Sequence, residues 1–216
     1  MKKEEIIKRI AAEIEIENDG KYIDFVVPGY AGRQFAGYHS MRADLLLCKS
    51  AAEQLLKSDL DNTIKASLWF TTIILYGKCF TDASSAKYPK LEPKDIFPSD
   101  RPKLLETHNS LMHLRHNLVA HRGSTEHEIN FVYLKLNIEN LSQQVKIKWV
   151  RRHRPTDEEL KDYVDLIKHL IKTVEEKLFK VADKIWTHLI KNFSPDELSK
   201  FKIAGPSANT QRLSKK

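Results

Sequence analysis

The sequence predicts a mainly α fold: an antiparallel helical bundle, with a β-hairpin inserted between the helix at 101–123 and a long C-terminal helix. Three observations predict it. Apolar residues recur at helical spacing through most of the chain. The stripe that starts at Leu160 and runs through Val164, Ile167, Ile171, Val174, Leu178, Val181 and Ile185 to Leu189 holds that spacing for about eight turns of ~3.6 residues. Between these helical stretches the period drops to two over 128–137 and 143–150, which is the pattern of paired strands.

In chain order, residues 4–14 place Ile6, Ile7, Ile10 and Ile14 on one side of a first helix, which Asn18, Asp19 and Gly20 end. Residues 22–27 are apolar and β-branched and predict a brief extended segment. Residues 28–37 hold three glycines and read as a surface loop. That stretch lacks Gly-Lys-Ser/Thr and G-x-G-x-x-G, so Arg33, Gln34 and Tyr38 are not assigned to a phosphate cradle. Residues 39–56 are amphipathic, with Leu45, Cys48, Ala52, Leu55 and Leu56 inward.

Ser58, Asp59 and Asp61 supply a cap for the next helix, 61–80. This helix is apolar nearly all round, which predicts the centre of the bundle. Lys78 near its end answers the helix dipole. Residues 82–98 form a loop with a basic, flexible arc of Ser84, Ser85, Lys87, Lys90 and Lys94. Asp100 as N-cap and Pro102 in the first turn open the helix at 101–123, and Gly123 stops it. The hairpin follows, with Val145, Ile147 and Trp149 on one face. Thr156 and Glu159 form a capping box for the long helix. Ser194, Pro195, Asp196 and Glu197 cap a short helix to Phe201. Residues 1–202 are expected to form a single domain, and 203–216 a disordered tail.

With 216 residues, 41% hydrophobic and 30% charged, the chain can bury a substantial core. A net charge of +7 suits an anionic partner, nucleic acid above all. Cys48 and Cys79 lie in apolar helices with no C-x-x-C spacing, which predicts buried, reduced thiols and a cytoplasmic protein. The opening MKKEEIIKRI is not followed by an apolar leader, and no stretch approaches the ~20 apolar residues of a membrane span, so no membrane partner is expected.

The helix at 101–123 ends in a polar cluster. Arg115, His116, Asn117 and His121 fall within seven residues, with Arg122 beyond. Cations are favoured at a helix C-terminus on structural grounds alone, but four such groups together point to chemistry. His113, Asn117 and His121 share one face. Arg115 and His121 stand roughly 240° apart around a regular helix. Their convergence requires the helix to loosen near Ala120, or a second copy of the chain to supply one of them across a two-fold axis.

The run Arg115-His116-Asn117-Leu118-Val119-Ala120-His121 resembles the R-x4–6-H motif of the HEPN superfamily, with a polar residue directly after the Arg. The resemblance covers about the middle third of the chain. It implies an HEPN-like helical domain, a homodimer in which Arg and His of two protomers meet, and metal-independent RNA cleavage with no cofactor. It also implies a toxin–antitoxin or phage-defence role, with an antitoxin or a nucleotidyltransferase as partner.

RNA cleavage needs a base for the 2′-hydroxyl proton, an acid for the leaving oxygen and a cation for the phosphorane charge. His121 suits the acid or base role, because a histidine titrates near neutrality. Arg115 suits the phosphate clamp, since its planar fork stays charged. His116 or Asn117 would orient these groups. Arg151, Arg152, His153 and Arg154 form the densest basic run, and its three arginines with the adjacent Lys148 and Trp149 make a candidate RNA-binding patch.

Two other readings compete. His113 and His116, with His108 and His121 near, offer imidazoles to a metal. Against that, 101–123 contains no Asp, its one Glu (Glu106) precedes the cluster, and His121 falls beside His113 only. No metal is expected. The remaining alternative is a non-catalytic helical dimer that binds RNA or a partner protein.

Overall fold

The structure, a computed structural model, describes residues 3–17, 24, 26–27, 29–57, 59–82, 88–120, 127–140, 142–152, 154–194 and 196–197. It is mainly helical: α1 is Lys3–Glu17, α2 Gly29–Leu55, α3 Asn62–Lys78, α4 Pro102–Leu114 and α5 Asp157–Asn192. A two-stranded antiparallel hairpin, β1 (Glu128–Leu136) and β2 (Gln143–Arg151), lies between α4 and α5, as the alternating pattern predicts. No helix among the described residues is long and apolar enough to cross a membrane.

The chain divides into two compact units, Met1–Phe35 with Phe179–Lys216, and Ala36–Leu178. In the first, α1 carries an Arg9–Glu13 pair at 2.8 Å, one helical turn apart. Ile6, Ile10, Phe179 and Trp186 remain exposed there. Ser194 and Glu197 make the reciprocal cap expected of them: the Glu197 carboxylate accepts from Ser194 N at 2.9 Å, and Ser194 Oγ from Glu197 N at 3.3 Å. Asp24, Val26 and Val27 have no regular secondary structure, so no strand forms at these three residues. The rest of the extended segment at 22–27, the Asn18–Gly20 stop, Pro195, the end of the short helix at Phe201 and the 203–216 tail lie outside the described residues.

The second unit holds the core. Leu45, Cys48, Ala52 and Leu55 of α2 pack with Trp69, Ile73 and Tyr76 of α3, Leu111 and Leu114 of α4, and a stripe from Leu160 to Val174 on α5. Each fully buried Leu or Ile contributes ~1.5–3 kcal/mol. Lys78 Nζ reaches Asp44 at 2.7 Å, and Cys48 Sγ donates to the Thr72 carbonyl at 3.3 Å, so α2 and α3 run antiparallel. Trp69 stacks on Tyr163 of α5 at 5.4 Å. His169 of α5 donates from Nε2 to the Ile96 carbonyl at 3.0 Å. The α5 start is the predicted capping box, with Thr156 N bonded to the Glu159 carboxylate at 2.7 Å.

Four expectations change. Residues 29–37 are helix, not loop, because their glycines serve the helix. Gly29, at φ +78°, makes the left-handed entry that a side chain resists. Gly37 lets Pro89 and Tyr88 press against α2 where a Cβ would collide with the proline ring. The α3 helix is not enclosed on all sides: Ile64 and Ile74 are 49% and 48% exposed, because α2, α4 and α5 cover only the Trp69–Ile73–Tyr76 face. Leu56 falls one residue past the end of α2 and is exposed rather than inward. The N-cap of α4 is Arg101, without a side-chain cap bond, instead of Asp100; Pro102 sits at N1, where its missing N–H does no harm.

Candidate active site around Arg115

The helix that carries the polar cluster does loosen. After Leu114 it widens into a π-turn over Arg115–Ala120, with hydrogen bonds to the fifth residue instead of the fourth. Leu118 and Val119 remain packed on the core. Such single wide turns are uncommon and concentrate at functional sites.

Arg115 is held tightly. Its side chain crosses Gly77 of α3 so closely that a Cβ there would collide with Cδ and lie 2.6 Å from Nε. Nη2 donates to Thr81 Oγ1 at 2.9 Å, and the Thr81 hydroxyl donates to the Gly77 carbonyl at 2.9 Å. The guanidinium therefore sits at the C-terminal end of α3, where the unsatisfied carbonyls favour a cation. His116 is exposed. Asn117 Nδ2 donates to His113 Nδ1 at 3.0 Å and to the His113 carbonyl at 3.2 Å, bonding two members of the shared face. His121 and Arg122 lie outside the described residues, as does the Gly123 stop.

Two turns before Arg115, His108 is buried. Its Nδ1 accepts from the Tyr76 hydroxyl at 2.7 Å, and its ring lies against Phe80 and Phe97 at 4.5 and 4.9 Å. Burial pushes the His108 pKa down to about 4 and holds the Tyr76 hydroxyl well above its usual range, so the pair is neutral at pH 7. His108 thus faces the core while His113 faces solvent. Among the described residues no three His, Cys, Asp or Glu side chains gather to hold a metal. Cys48 and Cys79 are buried free thiols; burial pushes both up, Cys79 to about 12, which removes them as nucleophiles.

Thr81 also lines a cleft of about 210 Å³, with Ser40, Asp44, Lys78 and Tyr88. Lys78 is therefore paired with Asp44 as well as placed at a helix end. Of the basic arc before α4, Lys90 pairs with Glu92 at 3.1 Å and Lys94 is exposed. Ser84, Ser85 and Lys87 lie outside the described residues.

Compared with protein-family models, curated proteins and solved structures, the chain finds no match in any of the three.

The basic run after β2 is divided. Arg154 Nη1 bonds Asp157 at 2.5 Å, and Arg152 Nη1 lies 3.9 Å from Glu159, so both face carboxylates in the first turn of α5. Arg154 holds the Asp157 carboxyl below its usual range. Arg151 stands opposite Glu128 in the strand register, and His153 lies outside the described residues. Lys148 is elsewhere, exposed on the hairpin opposite Phe131.

Gly77 and Thr81 were missed from sequence. The available signal was a glycine inside an apolar helix, which costs ~1 kcal/mol relative to Ala and marks a close approach. Gly77→Ala is expected to lower stability by about 1–3 kcal/mol through overpacking against Arg115. In an Arg115→Ala background the Cδ, Nε and Cγ atoms that the methyl would strike are gone, and helix propensity should reduce the cost or reverse it. Urea midpoints of the four proteins test this; a Gly77→Ala effect that ignores Arg115 would sink it.

Proposed function

We propose that this chain is a metal-independent endoribonuclease that acts as a homodimer in the cytoplasm, with Arg115 and His121 of the two protomers forming one composite site. The observation that carries the reading is the Arg115 guanidinium, anchored to Thr81 across Gly77 at the start of a π-turn six residues before His121. A phosphate clamp acts best when its fork is oriented before substrate arrives. Asn117 and His113, bonded together one turn along, supply neighbouring polar groups. The formal charge of +7 favours an RNA substrate. A toxin or phage-defence role, with an antitoxin or nucleotidyltransferase partner, follows from the motif resemblance alone.

A second reading has its own support. The bonds that orient Arg115 also tie the turn after α4 to α3, so a structural role accounts for them without catalysis, as in a non-catalytic helical dimer that binds RNA or a partner protein. The test is direct. Purified protein is expected to be a dimer by light scattering at micromolar concentration. It should cleave RNA in the presence of EDTA and leave 2′,3′-cyclic phosphate ends. A monomer would remove the composite site. Inhibition by EDTA with rescue by a divalent ion would instead support the His113/His116 metal reading. RNA binding without any cleavage would leave the helical dimer.

A further inference from the structure

The hairpin stands clear of the helices. Every described side chain on β1 and β2 except Glu128 and Tyr133 is exposed. A two-stranded ribbon is marginal by itself in water, so apolar groups held out on it call for an occupant. Its two faces differ. One carries Val132, Leu134, Leu136, Val145, Ile147 and Trp149. The other pairs Phe131 with Lys148 and Tyr133 with Lys146 directly across the strands, with Lys135 next along.

We infer that the Phe131–Tyr133 face is a binding platform for single-stranded RNA, a step that rests on RNA being the substrate proposed above. The two rings follow each other along β1 with centroids 6.4 Å apart and planes 26° from parallel, so successive bases can stack on them. Lys135, Lys146 and Lys148 flank the rings, and no acidic residue shares this face of the strands. That charge complements a phosphate backbone, and the exposed Ile129–Val150 pair continues the same face beyond Phe131 as apolar surface. The pattern selects single strands, because a duplex keeps its base faces stacked inside and offers nothing to the rings. Lys148 therefore belongs to this platform, while Arg152 and Arg154 serve the start of α5.

The test is fluorescence anisotropy with a labelled single-stranded oligomer of 2′-deoxynucleotides, which lacks the hydroxyl needed for cleavage, and with the matching duplex. Wild type is expected to prefer the single strand. Phe131→Ala and Tyr133→Ala should each weaken binding about tenfold. Changing Lys135, Lys146 and Lys148 together to Gln should reduce the salt slope by about 2. Val145→Thr, on the opposite face, should leave affinity unchanged. Unchanged affinity in the two aromatic variants, equal binding of duplex, an equal loss in Val145→Thr, or conversion of a dimer to a monomer by Phe131→Ala would each overturn the platform. Cleavage of RNA by aromatic variants of unaltered affinity would reject the platform and keep the ribonuclease. Single-strand binding lost in those variants, in a protein that cleaves nothing, would do the reverse.

Discussion

His121→Ala is expected to lower RNA cleavage by about 100- to 10,000-fold, the range supplied by one general acid or base, with RNA affinity and helical circular dichroism retained. Arg115→Ala should lower both turnover and affinity, because in the proposed site one guanidinium would serve both binding and phosphorane stabilisation. It should also lower stability, since its aliphatic stem covers Gly77 and its fork bonds Thr81. Arg115→Lys separates these contributions: the charge stays, but the planar fork to Thr81 and phosphate is lost. The wild-type pH–rate profile should show an ionisation near the histidine reference value of ~6.5. Mixing inactive Arg115→Ala with inactive His121→Ala gives the decisive readout. In a composite site, heterodimers recover one intact Arg/His pair, so activity should return; in two self-contained sites it should not. Full activity of His121→Ala would end the catalytic proposal.

Acid should destabilise the second unit through His108. In the unfolded chain this histidine takes up a proton near pH ~6.5, whereas in the fold it stays neutral until about pH 4. Between those values the unfolded state binds more protons, so stability rises with pH. The contribution is complete above ~6.5, falls as pH drops, and is gone near 4, a total of about 3 kcal/mol, of which about 2 is lost by pH 5. The double variant His108→Leu/Tyr76→Phe removes both partners of the buried 2.7 Å bond and leaves neither unsatisfied. Urea midpoints at pH 7.5 and 5 should differ by that amount more in wild type than in the variant. Parallel pH dependences would place the acid sensitivity elsewhere.

The parts of the fold legible from sequence are those fixed by local rules. The Leu160–Val174 stripe, the Thr156–Glu159 box and the alternation of β1 and β2 each express one element's geometry. The parts that misled depend on distant partners. Gly37 reads as loop composition until Pro89 is seen against it, and Gly77 reads as a weak spot until Arg115 is seen across it. Ile64 and Ile74 look like core because hydrophobicity does not reveal which faces neighbours cover. At the candidate site the motif marked Arg115, His116 and Asn117, and the spacing called for either a looser helix or a second copy of the chain; the π-turn is the first of these. Thr81 was invisible, because a threonine just past a helix end has many ordinary uses. The cationic aromatic face of the ribbon was missed because only the Val145–Ile147–Trp149 face was considered.

The three tryptophans lie in unlike surroundings: Trp69 is 1% exposed, stacked on Tyr163 with its indole N–H unpartnered among the described residues, while Trp149 and Trp186 are 56% and 66% exposed. The molecule therefore carries its own optical probes. Iodide should quench two of the three emitters and spare a blue-shifted third. Trp149 lies on the ribbon face opposite Phe131, so its colour should stay constant when a nucleic acid strand binds and shift when a protein surface covers that side. Trp69 should turn red only when the core itself opens.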